Sequence, residues 1–173
     1  NCYIVSEEGV YKFYKGLRYG KPTVLWESFG TSIAPHPGDL IKCVKSEDGY
    51  IYFQTSDEFK EGNAIIALIN SDGSVNWSWH IWMTDEPVEQ IYKNDTGTYG
   101  VLDRNLGATR ADRGIDNEWM ESRGLLYFWG RKDPFHVSYF SDMEFYMSIE
   151  QTIAAPNVRH NYGSSDYLTS WWG

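Results

Sequence analysis

Two Asp-Gly pairs, Asp48-Gly49 and Asp72-Gly73, each separate two runs that are rich in β-branched and aromatic residues. Such a pair favours a two-residue reverse turn, and the flanking residue types favour extended strands. The same alternation of short β-rich runs and turn residues extends over residues 1–85. About seven strands at this spacing predict a small antiparallel β-sandwich.

The last of these runs, "VNWSWHIWMTD" from Val75 to Asp85, contains three tryptophans. Because alternate side chains of a strand point to opposite faces, its apolar residues share one face: Trp77, Trp79, Ile81 and Met83. We expect this face to be core. His80 on the other face is predicted to be a hydrogen-bonded strand residue, and Trp82 can pack under the segment that follows.

Composition and charge limit the classes of partner. The formal net charge is −9 and no window clusters Lys and Arg, which argues against a nucleic acid. No stretch approaches the roughly 20 apolar residues of a membrane span. Thirteen Tyr and eight Trp exceed what core packing normally uses, and flat amphipathic rings often serve contact surfaces.

The chain has two cysteines, Cys2 and Cys43, both in strand-like runs and far apart in sequence. They either pair, across one sheet or between two sheets, or remain buried free thiols. No CxxC pattern is present, so metal or redox chemistry at these cysteines is not expected.

The character of the sequence changes after Thr84. The stretch "DEPVEQIYKNDTGTYG" is polar and turn-rich, and we interpret it as a connector. Residues 116–130 form the most helix-like segment, with Asp116 or Asn117 as N-cap, and a second helix is predicted over residues 143–155, before Pro156. We therefore expect a sandwich in residues 1–86 and an α+β module in residues 87–173.

Two motifs of the second half are predicted to be structural. "DRNLGATR", Asp103 to Arg110, suits a tight buried turn in which Asp103 and Arg104 pair or cap, and Asn105 satisfies backbone groups. "GLLYFWGRKDPF", Gly124 to Phe135, places aromatic residues beside a charged turn. Exposed, such rings stack on sugars or proteins; buried, they form the nucleus of the second module.

The sequence contains none of the common signatures of hydrolases, metalloproteases or nucleotide-binding enzymes, and we expect a protein that is not an enzyme. A calcium site is a weak alternative, since calcium needs six to eight oxygens and one glycine-containing loop gathers several: Asp112, Asp116, Asn117 and Glu118. A glycan hydrolase would require a carboxylate pair from Asp103, Asp116, Glu118 and Asp133.

The order of several motifs resembles fimbrillin-like surface proteins of gut Bacteroidetes. The motifs are "NCYIVSEEGVYKF", "VLWES", "DGYIYF", "GNAIIALINSDGSVNWSWHIWMTD", "VLDRNLGA" and "GLLYFWGRKDPF", within residues 1–135. The resemblance implies an immunoglobulin-like β-sandwich followed by a module related to the Fibrobacter major paralogous domain, which is similar to C-type lectins. It also implies a cell-surface, outer-membrane or pilus location without catalysis. Such a module usually continues past a segment like "TSWWG", so we expect the second module to be truncated or completed from outside this chain.

We therefore expect an extracellular adhesion protein that binds a glycan or a host protein. The predicted ligand contacts are aromatic residues in polar segments: Tyr139, Tyr146, Tyr162, Tyr167, Trp171 and Trp172. The alternative is a structural pilus or surface-assembly subunit whose sheet edges are completed by a neighbouring strand.

Overall fold

The computed structural model describes residues 1–31, 33, 35–112, 119–125, 127 and 133–134. Within these ranges the protein is mainly β, as the sequence predicts. The strands are β1 (Cys2–Val5), β2 (Val10–Tyr14), β3 (Lys21–Ser28), β4 (Ile41–Glu47), β5 (Tyr50–Thr55), β6 (Gly62–Ile69), β7 (Val75–Met83), β8 (Glu89–Asn94) and β9 (Gly97–Leu102), and the helix is α1 (Trp119–Arg123).

The strands form a four-stranded sheet in the order β1-β7-β6-β3, a three-stranded sheet in the order β2-β5-β4, and the separate pair β8-β9. All pairings are antiparallel except that of β1 with β7, which is parallel. The first strand therefore does not form a hairpin with β2. It belongs to the four-stranded sheet instead, and its Tyr3 ring stacks on Phe13 of β2 in the three-stranded sheet with centroids 4.6 Å apart.

The four-stranded and three-stranded sheets pack through one apolar cluster that draws on six of their seven strands. Its buried residues are Val5, Phe13, Leu40, Ile41, Ile51, Phe53, Ala64, Ile66, Leu68, Trp79, Ile81 and Met83. Trp79, Ile81 and Met83 confirm the predicted core face of β7, and Trp77 packs against the cluster while partly buried. The tryptophan-rich run is therefore a core strand, not an open binding groove.

The other face of the four-stranded sheet is also covered. Residues that follow β9 lie over it: the Trp82 indole N–H donates to the Ala108 carbonyl at 2.9 Å, and Ser78 donates to Asp133 at 2.7 Å. His80 lies 2.8 Å from the Asn63 amide oxygen, which confirms it as a hydrogen-bonded strand residue. Burial on both faces explains why β6 reads as a continuous apolar run.

The motif at residues 103–110 forms the predicted tight turn. Arg104 pairs with Asp103 at 2.9 Å and also contacts Asp85, and its side chain is only 4% exposed. The Asn105 carbonyl accepts from the Ala108 N–H at 2.9 Å, and its side-chain amide donates to the Ser122 carbonyl. Hydrogen bonding to Arg104 lowers the pKa of both Asp85 and Asp103.

Two predictions in the second half are wrong. The supposed connector after Thr84 contains the hairpin β8-β9, whose turn is stabilised because the Asn94 side chain accepts from the Thr96 and Gly97 N–H groups. The helix expected to reach residue 130 ends at Arg123, because Gly124 adopts a φ of 72°. At that angle glycine ends a helix readily. The second predicted helix, at residues 143–155, lies outside the described residues.

Both cysteines are free thiols, so the disulfide alternative is wrong. Cys2 is half-buried, whereas Cys43 is exposed and not buried as the other alternative required. The two residues lie in different sheets, at β1 and β4. Across the described part of the chain, no helix combines the length and the apolar character needed to cross a membrane.

Candidate binding surface: the tyrosine–lysine face

The outward side of the three-stranded sheet presents aromatic and basic side chains in register. Cross-strand pairing aligns three rows of three residues: Val10–Gln54–Cys43, Lys12–Tyr52–Lys45 and Tyr14–Tyr50–Glu47. We call the part formed by Lys12, Tyr14, Lys45, Glu47, Tyr50 and Tyr52 the tyrosine–lysine face. Tyr14 is 62% exposed, and Tyr50 and Tyr52 are half-buried beside it.

Simple alternation places these residues on one side. In "VYKFY" and "YIYFQT" the side chains of Phe13, Ile51 and Phe53 turn into the core, so the intervening residues must turn outward. The Asp48-Gly49 turn, with φ values of 49° and 82°, fixes the register between β4 and β5. The Lys15 N–H donates to the Gly49 carbonyl at 3.0 Å and ties β2 to the same turn. A packed core thus supports the face from behind.

The three tyrosine rings are neighbours along two strands. The Tyr14 and Tyr50 rings meet edge to face with centroids 5.6 Å apart, and Tyr50 and Tyr52 lie 6.4 Å apart with an angle of 57° between their planes. Tyr14 and Tyr50 form a cross-strand pair, and such aromatic pairs stabilise a sheet modestly. The rings form a tilted row with apolar surface directed at solvent.

Two ammonium groups lie among the rings. The Lys12 Nζ is 5.0 Å from the centre of the Tyr50 ring and 5.9 Å from that of Tyr52, and the Lys45 Nζ is 5.1 Å from the centre of Tyr52. Lys45 also forms an ion pair of 2.7 Å with Glu47. That hydrogen bond and the charge attraction raise the pKa of Lys45 and lower the pKa of Glu47.

The side chains of this face are suited to contact with a ligand. Tyrosine rings offer apolar faces for stacking and phenolic hydroxyls for hydrogen bonds, and lysine ammonium groups donate to oxygen atoms. The one carboxylate of the face, Glu47, is held by Lys45 at 2.7 Å. An exposed surface of this composition is typical of recognition by contact, as in antibody paratopes that are rich in tyrosine.

Apart from this face, a concavity of about 270 Å³ lies near the start of β1 and is lined by Asn1, Cys2, His80, Leu106, Tyr127, Asp133 and Pro134. Burial raises the pKa of the Cys2 thiol to about 11, so this group is a protonated thiol at neutral pH. Burial also raises the pKa of Tyr127, and its hydroxyl lies 3.5 Å from the His80 Nδ1. The Cys2 thiol and the Tyr127 hydroxyl are therefore both protonated at neutral pH, which suits packing and hydrogen bonding better than nucleophilic reactivity.

The six residues predicted to contact ligand lie outside the described residues: Tyr139, Tyr146, Tyr162, Tyr167, Trp171 and Trp172. They therefore stay a prediction. Sequence reasoning missed the tyrosine–lysine face because it treated residues 1–85 as scaffold. The sequence signal was that Lys and Tyr occupy every second position in β2 and β5. These residues form one surface only because the strands pair in this register.

The carboxylates considered for calcium or hydrolysis have structural partners where they are described. Asp112 pairs with Arg110 at 3.0 Å, Asp103 with Arg104 at 2.9 Å, and buried Asp133 accepts from Ser78. Asp116, Asn117 and Glu118 lie outside the described residues. Among the residues with assigned positions, no group of three or more His, Cys, Asp or Glu side chains is placed to hold a metal ion.

No protein family, no curated protein and no solved structure matches this chain. The functional assignment therefore depends on the geometry of the tyrosine–lysine face and on the resemblance carried by the sequence motifs.

Proposed function

We propose that this is a non-catalytic extracellular adhesion protein of a bacterial cell surface or pilus tip, and that it binds glycans or host proteins. The observation that carries the proposal is the tyrosine–lysine face, in which three neighbouring tyrosine rings and two lysines point to solvent from a rigid sheet. Tyrosines of this kind add contact area at little cost in conformational entropy, which suits recognition.

The strand order supports an immunoglobulin-like fold as part of this proposal. In that fold the second, fourth and fifth strands share one sheet, and the third, sixth and seventh share the other. Here β2, β4 and β5 form one sheet, and β3, β6 and β7 form the other. The lectin-like character of residues 87–173 is proposed from the motif resemblance alone.

A structural subunit of a pilus or surface assembly is the second candidate. The hairpin β8-β9 favours it, because all twelve of its residues are exposed and its outer edges have no partner strand among the described residues. A lone two-stranded hairpin is only marginally stable in water, so pairing with a neighbour's strand would stabilise it. Concentration-dependent oligomers in light scattering, lost when the hairpin residues Glu89 to Leu102 are deleted without loss of folding, would favour this candidate over the first.

The adhesion proposal predicts that the triple variant Tyr14→Ala, Tyr50→Ala, Tyr52→Ala loses binding on a glycan and mucin array. Each lost ring contact weakens binding by about 1 kcal/mol, so the three together weaken it about a hundredfold. The melting temperature should fall by only a few degrees, because these side chains lie on the outer face of the sheet. The array signal and the melting temperature are measured on the same preparations.

The matched control is the pair Tyr92→Ala, Tyr99→Ala, which removes another exposed cross-strand tyrosine pair from β8-β9. It should leave array binding unchanged. A second arm, Trp171→Ala with Trp172→Ala, tests the predicted contacts in the last part of the chain. Array binding that survives the triple variant but not the tryptophan variant would reject the tyrosine–lysine face as the site.

A further inference from the structure

We propose that the tyrosine–lysine face binds a run of acidic sugars, with uronic-acid rings stacked on its tyrosines and their carboxylates on Lys12 and Lys45. The inference rests on the proposed function and names the class of ligand for that same surface. It follows from the positions of the two ammonium groups and of the one carboxylate on the face.

The Lys12 ammonium is the first anchor. It lies over the two rings of β5, 5.0 Å from the centre of Tyr50 and 5.9 Å from that of Tyr52, and no carboxylate of the described residues forms an ion pair with it. The chain has 24 acidic residues against 15 Lys and Arg, so carboxylates are plentiful. An ammonium directed at solvent between two stacking surfaces can take an anion from a ligand that covers those rings.

Lys45 already binds a carboxylate of the protein itself, in the position that a ligand carboxylate would take. Its Nζ binds the Glu47 carboxylate at 2.7 Å, while it lies 5.1 Å from the centre of the Tyr52 ring. A carboxylate is therefore already accommodated beside the tyrosines. Glu47 and Lys45 are more than half exposed, so their pair is weak and a ligand carboxylate can displace it.

The alternation of rings and charges favours a run of acidic sugars over a single terminal one. Tyr50 and Tyr52 offer two stacking surfaces 6.4 Å apart, Lys12 lies between them, and Lys45 lies on the far side of Tyr52. Successive uronic-acid units repeat the same ring and the same carboxylate. The net charge of −9 does not prevent this, because salt screens exposed charges beyond about 8 Å at physiological ionic strength.

The test measures the dissociation constant of trigalacturonate by NMR titration of the full chain at physiological ionic strength. The neutral probe is the trimethyl ester of trigalacturonate, which keeps the sugar rings and removes the carboxylate charges. We expect Lys12→Gln to weaken trigalacturonate binding about tenfold. We expect Glu47→Gln to strengthen it several-fold, because it removes the competing carboxylate. The methyl ester should bind at least tenfold more weakly than the acid.

The control is Lys42→Gln. Lys42 is on the same strand as Lys45 and pairs with Asp57 at 2.7 Å, but it is not part of the tyrosine–lysine face, so its loss should leave the dissociation constant unchanged. Equal binding of acid and ester, or equal loss with Lys42→Gln and Lys12→Gln, overturns the inference. So does binding to a sulfated trisaccharide without binding to trigalacturonate. If the array signal still depends on the three tyrosines, the adhesion proposal survives that failure.

Discussion

At the scale of single residues, Asn63 joins three parts of the protein. Its side chain is fully buried on β6, where its amide N–H donates to the Gly107 carbonyl at 2.9 Å and its oxygen lies 2.8 Å from the His80 Nε2. A buried carbonyl or imidazole without a partner is costly. This one side chain therefore fixes both the imidazole and the turn that covers the sheet.

We predict that Asn63→Ala lowers the free energy of unfolding by about 1–3 kcal/mol, because it leaves the Gly107 carbonyl and His80 without that partner. Denaturant unfolding followed by tryptophan fluorescence measures the change. The control is Asn70→Ala, which removes hydrogen bonds of 2.9 Å to the exposed Ser74 and 3.2 Å from the Asn76 side chain and, being near the surface, should cost only about 0.5 kcal/mol. Equal losses for the two variants would show that Asn63 does not link the layers.

At the scale of elements, the turn at residues 103–110 determines how the chain after β9 contacts the four-stranded sheet. Gly107 has a φ of 84°, and a Cβ added there would lie 2.5 Å from the Leu125 Cγ and 3.1 Å from the Asn63 Oδ1. Leu125 forms a second small core with Trp26 and Ile65 on this face of the sheet. The turn thus requires glycine both for its backbone angle and for its lack of a side chain.

Gly107→Ala is expected to destabilise the protein more than Gly73→Ala. Gly73 has a similar φ of 87°, but a Cβ there would meet no atom within 4 Å. The backbone strain common to both variants costs about 1 kcal/mol, and overpacking against Leu125 adds about 1–3 kcal/mol for Gly107 alone. Thermal and denaturant unfolding of both variants measure the difference. Similar losses for the two would contradict the close packing of this turn.

Prediction from sequence succeeded where local chemistry determines the outcome and failed where distant contacts do. The core face of β7 and the paired Asp103 and Arg104 followed from alternation and motif composition. The hairpin β8-β9 was missed because neither of its faces is apolar. Regular alternation of apolar and polar residues is the usual sequence signal for a strand, and this hairpin lacks it. The parallel position of β1 depends on pairing with β7, whose partner residues lie 78 positions further along the chain (Cys2 with His80), and no local pattern predicts it.

The candidate surface shows the same limit. The alternating Lys and Tyr of β2 and β5 are visible in the sequence, but nothing local shows that Lys12, Tyr52 and Lys45 share one row. The predicted ligand contacts in residues 139–172 stay a prediction, as does the division of the chain at residue 86. The aromatic composition predicted a contact surface but not its position in the fold.

At the scale of the whole molecule, packing on both sides makes the four-stranded sheet the interior of the protein. Its inner face meets the three-stranded sheet, and its outer face meets residues that follow β9. The three-stranded sheet is buried on one side only, and its other side carries the tyrosine–lysine face. An antiparallel sheet with one solvated side is common, and here the solvated side is rich in tyrosine side chains.

The most direct test of recognition by this face is hydroxyl-radical footprinting of the full chain, with and without the glycan or mucin that binds best on the array. Mass spectrometry then reads the oxidation of each tyrosine. The adhesion proposal predicts that ligand protects Tyr14, Tyr50 and Tyr52 several-fold while Tyr92 and Tyr99 oxidise at unchanged rates. Unchanged oxidation of the first three, with protection elsewhere in the chain, would contradict it.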